Sequence, residues 1–152
     1  DIIKFFNLTA ASKFCIVFYE CCSEEACMKK AVYVVEPGKD MKELVGCWLE
    51  RLGFSPILYS TNGEEALNTI AKIGVRIGII VAAREMLGAP VRAIFERAME
   101  ENPEVGKLIL TTSSNFEDIA EELESIAPFS VMCPPPSFGV FKTLILPLRN
   151  RL

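Results

Sequence analysis

Histidine is absent from this sequence of 152 residues. The imidazole of histidine is the usual general base near neutral pH and the commonest ligand of protein-bound zinc. Its absence excludes phosphohistidine chemistry on this chain and every catalytic mechanism that needs an imidazole.

Long apolar runs are also missing. The apolar stretches, such as IGIIVAA and KLILTT, are far shorter than the roughly 20 residues that a membrane-spanning helix needs. We therefore expect no direct insertion into a membrane. The chain begins at Asp1 and lacks a basic segment followed by an apolar one, which predicts a piece of a longer polypeptide.

Basic residues are outnumbered by acidic ones. The chain has 16 Lys and Arg against 20 Asp and Glu, and its formal net charge is -4. Because binding to a phosphate backbone depends on clustered positive charge, we expect no nucleic-acid partner.

Cysteine is present without the regular spacing of a secreted disulfide framework. The six cysteines are Cys15, Cys21, Cys22, Cys27, Cys47 and Cys133. We interpret them as cytosolic thiols. A zinc site at Cys21, Cys22 and Cys27 is disfavoured against a linker with incidental thiols, because there is no CxxC pair and no histidine to complete the ligands.

Motifs for nucleotide binding and acid–base catalysis are not found. The segment Pro37-Gly38-Lys39 lacks the upstream glycine and the following hydroxyl residue of a P-loop, and no GxGxxG occurs. Asp40 next to Glu36 is better explained as the first-turn acid of a helix than as half of a catalytic pair. We expect no catalytic residue, no bound metal and no cofactor.

From residue 31 onward, short apolar runs alternate with amphipathic helical patterns. The predicted strands are 31–35, 56–60, 77–82, 107–111 and 130–133. In the first helix, predicted over 41–52, apolar residues recur at i, i+3, i+4, i+7 and i+8. This alternation predicts an α/β domain with five βα units and a mainly parallel sheet, with strand 77–82 at its centre.

Several residues predict where the helices begin and end. Gly53 is expected to terminate the first helix, and Asn62 to precede the second. Ser114 with Glu117 forms a predicted capping box for a fourth helix that buries Phe116. The last helix is predicted over 138–146, and the cis or trans state of the bond before Pro135 stays open.

The residues listed so far resemble response-regulator receiver domains. The stretch AVYVVEPGKDMKELVGCWLERLGF, then a strand and the helix start NGEEALNTI, resembles the opening of such domains, and the similarity continues through LILTTSS to the proline-rich turn. It covers residues 31 to about 146. The resemblance implies a flavodoxin-like, doubly wound sheet of order 2-1-3-4-5 with its site at the carboxyl ends of the strands.

The positions that carry chemistry in receiver domains are largely replaced here. By the resemblance, Glu36 keeps one of the two acids that hold magnesium, and Thr111 keeps the hydroxyl position. Ala82 stands where the phosphate-accepting aspartate is expected, with Ala83 as the alternative if the register is shifted by one residue. Pro134 replaces the lysine. Glu36, Thr111 and Pro134 would then line a vestigial pocket, and Glu85 is expected in the loop after the third strand.

The family also implies a partner surface formed by the fourth helix, the fifth strand and the fifth helix. Its predicted residues are Phe116, Glu117, Glu121 and Val131. The expected partners are proteins: histidine-kinase modules, another receiver, or a second copy of this chain. The alternative for the acidic residues is a solvated helix face without a partner.

Residues 1–28 are predicted to form an N-terminal extension, and residues 29–152 the receiver-like domain. The stretch DIIKFFNLTAASKFCIVFYE resembles the closing hairpin of histidine-kinase ATP-binding domains, although Ala10-Ala11-Ser12 departs from the glycines of its turn. An extra strand or helix packed on the domain remains the alternative. The expected location is the cytoplasm, either free or as the cytosolic part of a membrane-anchored kinase.

Together these features predict a non-phosphorylatable receiver-like domain, without enzymatic activity, that acts as an interaction or regulatory module in two-component phosphorelay signalling. The alternative is a domain whose vacated pocket binds a small molecule or a nucleotide second messenger. An enzyme on the same scaffold and an active receiver with a different register are the weaker hypotheses.

Overall fold

Residues 29–152 are the part of the chain that the computed structural model describes, and strands alternate with helices along it. The strands are β1 Ala31–Val35, β2 Ile57–Ser60, β3 Ile77–Ala83, β4 Gly106–Leu110 and β5 Ser130–Met132. The α-helices are α1 Lys39–Arg51, α2 Gly63–Ile73, α3 Val91–Glu101, α4 Phe116–Glu122 and α5 Phe138–Ile145. The predictions for residues 1–28 lie outside the described residues.

The five strands form one parallel sheet of order β2-β1-β3-β4-β5. This confirms the predicted fold class and strand order. β3 lies at the centre and all seven of its residues are buried, as expected for a parallel strand covered by helices on both faces.

The core has two parts, one on each face of the sheet. Alternate residues of each strand point to opposite faces, so neighbours such as Ile79 and Ile80 in β3 belong to different apolar clusters. Helices α2, α3 and α4 cover the cluster that contains Ile80, while α1 and α5 cover the cluster that contains Ile79. On the second face Trp48 packs against Phe141 with ring centroids 5.2 Å apart.

Two of the predicted helix boundaries are confirmed. Gly53 follows α1 with a φ of 79°, the left-handed conformation that glycine adopts without strain. The Asn62 side chain accepts a hydrogen bond from the Glu65 backbone N–H at 2.8 Å and caps α2.

The predicted start of the fourth helix is wrong by one residue. Asn115, not Ser114, caps α4, and its Oδ1 accepts hydrogen bonds from the backbone N–H groups of Glu117 and Asp118. Phe116 is consequently the first residue of the helix, and it is 55% exposed instead of buried. Ile119 and Leu123 provide the contact with the core.

Strand ends differ slightly from the predictions. β3 continues to Ala83, because Ala83 still pairs with Leu110 of β4. β5 ends at Met132, one residue early, and the bond between Pro134 and Pro135 is cis. In residues 29–152 no helix combines the length and apolar character needed to cross a membrane.

Candidate functional site

The carboxyl ends of the central strands meet at one edge of the sheet, as the parallel topology requires. Val35, the last residue of β1, pairs with Ala82 of β3, and Ala82 pairs with Ile109 of β4. Glu36 follows directly after β1 and Thr111 directly after β4. The sheet therefore brings the regions of these two residues to the same edge.

Glu36 is a buried acid at this edge, with 7% of its surface exposed. Its Oε1 accepts a hydrogen bond from the Gly38 backbone N–H at 2.9 Å, and its own backbone N–H donates to the Ser60 carbonyl. Burial raises the pKa of the Glu36 carboxyl, the Gly38 hydrogen bond opposes that shift, and the negative charge of Glu85 adds to it. The protein thus disfavours the ionised form of this side chain.

Ala82 and Ala83 close the central strand. Ala82 is fully buried, and its methyl group belongs to the apolar cluster beneath α2 and α3. Ala83 is the last residue of β3 and is 5% exposed. Between Glu36 and Thr111 the middle strand therefore ends in two methyl groups.

Glu85, in the loop between β3 and α3, contacts the end of β4. Its Oε1 accepts a hydrogen bond from the Thr111 hydroxyl at 3.0 Å, and its Oε2 accepts one from the Thr112 backbone N–H at 3.4 Å. The Thr111 hydroxyl in turn accepts the Ser113 backbone N–H at 3.0 Å. Sequence reasoning placed Glu85 in the loop but missed this contact, which its position beside the neighbouring strand end could have suggested.

Arg84 attaches the same loop to α4. Its backbone N–H donates to the Leu110 carbonyl, and its guanidinium donates to Glu122 Oε2 from Nε at 3.0 Å and from Nη2 at 2.5 Å. These hydrogen bonds raise the pKa of the Arg84 guanidinium above its ordinary value. The loop after β3 is therefore connected both to the loop after β4 and to α4.

Pro134 lies two residues after β5 and is exposed, so it adds a carbonyl and a ring to this edge but no charge. No hydrogen bond joins Glu36 to Thr111 within residues 29–152; Thr111 is engaged by Glu85 instead. The described residues also contain no group of three or more His, Cys, Asp or Glu side chains placed to hold a metal ion.

The predicted partner surface has three residues on α4 and one on β5. Phe116, Glu117 and Glu121 are all exposed, and Val131 on the edge strand β5 is half-buried. Val140 on α5 is a further large apolar side chain with 48% exposure. Glu122, by contrast, is occupied by Arg84.

Two pockets of the described region lie away from these residues. One, of about 340 Å³, lies where α1 connects to β2, and its lining includes Phe54 and Tyr59. The other, of about 270 Å³, lies at the amino-terminal ends of β4 and β5. Neither is lined by Glu36, Thr111 or Pro134.

This architecture is the fold of response-regulator receiver domains. The structure is similar to a response regulator receiver domain protein from Clostridium thermocellum, with a TM-score of 0.69 and 16% identity over 80% of this chain and 95% of that one. It is also similar to the signal receiver domain of a signal transduction histidine kinase from Syntrophus aciditrophicus, with a TM-score of 0.66 and 20% identity over 80% of this chain and 90% of that one.

A third similar structure is the chemotaxis protein CheY4 of Vibrio cholerae, with a TM-score of 0.64 and 19% identity over 76% of this chain and 96% of that one. No protein-family model matches the sequence, and no curated protein matches it. At these identities the similarity establishes the fold.

Proposed function

We propose that this chain is a receiver-like module that does not accept phosphate and acts by binding another protein in two-component or phosphorelay signalling, in the cytoplasm. The observation that carries the proposal is the end of β3, where Ala82 and Ala83 provide only methyl groups. A methyl group can neither attack a phosphoryl donor nor bind a cation. On this proposal the chain has no enzymatic activity and needs no cofactor.

The contact between Glu85 and Thr111 supports the same proposal. A hydroxyl and a backbone N–H that could bind an incoming anion already bind a carboxylate of the same chain. Glu36 and Glu85 add negative charge at this edge, and the pKa of Glu36 responds to that charge. An added anion would therefore find the Thr111 hydroxyl and the Thr112 N–H already bound to Glu85. The negative charges of Glu36 and Glu85 would also repel it.

The proposed contact with a protein partner uses the surface of Phe116, Glu117, Glu121 and Val131. An exposed aromatic ring beside acidic side chains and an edge strand fits a partner that offers an apolar pocket bordered by basic residues. Histidine-kinase modules, another receiver and a second copy of this chain are the candidate partners. The ligand-binding alternative is less favoured, because neither described pocket contains the proposed vestigial residues.

Phosphorylation is the direct test. We expect no hydroxylamine-sensitive phosphate label on the parent chain after incubation with radiolabelled acetyl phosphate and magnesium. Ala82→Asp and Ala83→Asp each place a carboxylate at the end of β3, and magnesium affinity should increase in the variant whose carboxylate reaches Glu36. Stoichiometric labelling of the parent chain, or magnesium binding by it at micromolar concentration, would falsify the proposal.

The partner surface is tested separately by sedimentation velocity of the parent chain with itself and with a histidine-kinase core. We expect Phe116→Ser to weaken the association at least tenfold, because exposed aromatic side chains commonly dominate interface energies. Leu87→Ser is the matched control, since Leu87 is 82% exposed but lies in the β3–α3 loop. Equal effects of the two variants would contradict the proposed surface.

A further inference from the structure

A buried lysine lies at the edge of the sheet opposite to the site described above. Lys107, the second residue of β4, is 5% exposed, and its Nζ lies 3.6 Å from the Met99 sulfur. The ion pairs of the described region join Arg84, Arg92 and Arg97 to glutamates, and none includes Lys107. Burying an ammonium group beside a thioether, without an anion, costs free energy that an anion would offset.

Lys107 is also one of the residues that line the second pocket. Lys107 and the exposed Arg151 contribute two positive charges to its lining, and Glu104 contributes one carboxylate. Val105, Phe129 and Leu148 supply apolar walls. With about 270 Å³, the pocket lies just below the usual range for drug-sized ligands, so it suits a compact molecule with one ring or a short aliphatic chain.

The charges in the pocket are not balanced within the described residues. Burial lowers the pKa of the Lys107 ammonium, and the positive charge of Arg151 lowers it further. Within residues 29–152, Glu104 forms no ion pair with Lys107 or Arg151. Its backbone N–H donates a hydrogen bond to the Asn102 side chain. An anion between the two cations would relieve their repulsion and replace the hydration that Lys107 has lost.

We propose that this pocket binds a small organic anion, whose carboxylate or phosphate contacts Lys107 and Arg151 while its apolar part packs against Val105, Phe129 and Leu148. This site is independent of the proposed function, since it uses neither the end of β3 nor the surface of α4. It would allow a metabolite to bind the domain at the edge opposite to the Glu36 region.

The proposal is tested by following backbone amide resonances of the 152-residue chain during titration with four probes: phenyl phosphate, benzoate, inorganic phosphate and benzyl alcohol. We expect phenyl phosphate or benzoate to shift the resonances of Gly106, Phe129 and Ser130 at submillimolar to millimolar concentration. The stronger of the two identifies the preferred anionic group. Inorganic phosphate should bind at least tenfold more weakly than the stronger organic anion. The shifts caused by benzyl alcohol should not reach saturation.

Two variants test the roles of the cations. Lys107→Met keeps the length and volume of the side chain, and we expect at least a tenfold loss of affinity; Arg151→Glu, at an exposed position, should also abolish binding without affecting the fold. Lys142→Met, on the exposed face of α5, is the control and should bind like the parent chain. Unchanged affinity in Arg151→Glu and Lys107→Met, saturation by benzyl alcohol, or no shifts with 10 mM of either organic anion would overturn the proposal.

Discussion

The carboxylate of Glu36, at the carboxyl ends of the strands, is stabilised by one interaction and destabilised by others. The Glu36 carboxylate gains a hydrogen bond from Gly38 but loses hydration and lies in the field of Glu85. The net effect raises the pKa of Glu36 above the ordinary 4.5. The Glu36 carboxyl therefore releases its proton less readily in the folded protein than in the unfolded chain.

The sign of the pH dependence follows from linkage. A raised pKa in the folded state gives a stabilising contribution that is complete below about 4.5 and is lost as the pH rises through the folded-state pKa. We expect Glu36→Gln to remove this loss while keeping the oxygen that accepts the Gly38 N–H. At pH 7 the variant should be more stable than the parent.

Urea unfolding between pH 4 and pH 8 measures this difference, and the gain should shrink as the pH falls. Glu43→Gln is the control, because Glu43 is exposed on α1. A Glu36→Gln variant that is less stable than the parent at pH 7 would show that the Gly38 hydrogen bond outweighs the desolvation of the carboxylate.

The start of α2 and the β3–α3 loop lie so close together that only a small residue fits between them. Gly63 begins α2, and a Cβ at this position would lie 2.6 Å from both the N and the O of Ala89. The backbone of the β3–α3 loop cannot withdraw as a flexible side chain could. The start of α2 and this loop are also joined by a hydrogen bond from the Gly63 N–H to the Leu87 carbonyl at 2.8 Å.

We expect Gly63→Ala to destabilise the protein by about 1–3 kcal/mol, since α2 and the loop must separate to admit the methyl group. Gly139→Ala is the matched control in α5, where nothing lies within 4 Å of the added Cβ. That variant should be neutral or gain about 0.5 kcal/mol from higher helix propensity. Urea denaturation of both variants measures the two changes in the free energy of unfolding. Equal changes would exclude the proposed steric clash.

The start of α4 provides a second prediction for a single element. Asn115→Ala removes the oxygen that accepts two backbone N–H groups and should cost about 1 kcal/mol. Ser114→Ala should change stability much less, because Ser114 is not the capping residue. If thermal unfolding instead ranks Ser114→Ala as the more damaging change, the helix begins where the sequence pattern predicted.

At the scale of the whole domain, Arg84 connects elements that are distant in sequence. The guanidinium bridges the loop after β3 to Glu122 in α4, and the neighbouring Glu85 reaches Thr111. Exposed ion pairs contribute only about 0–1 kcal/mol to global stability. Their larger effect is expected on local opening of the loop and of the last turn of α4, where Glu122 lies.

We therefore expect Arg84→Gln to accelerate amide hydrogen exchange in residues 84–88 and 119–123 while the free energy of global unfolding changes by less than about 1 kcal/mol. Arg97→Gln is the control, because Arg97 pairs with Glu100 and Glu101 within α3. If exchange in the two segments is unchanged in Arg84→Gln, the bridge does not restrain them.

The order of elements could be predicted because each leaves a local pattern. Fully apolar runs indicated the buried strands, the spacing of Val45, Trp48 and Leu49 indicated the inner face of α1, and Asn62 marked the start of α2. The exposure of Phe116 was not predictable in the same way. A shift of one residue rotates a helical side chain by about 100°, enough to move it from the core to the surface.

The amino-acid sequence alone predicts the five βα units, the central place of β3 and the absence of a carboxylate at its end, since these depend on composition and short-range periodicity. Tertiary packing alone brings Glu85 to Thr111 and Arg84 to Glu122, and it buries Lys107. The two contacts join residues 26 and 38 positions apart in the chain. Their existence depends on loop paths and side-chain rotamers, which no periodic pattern encodes.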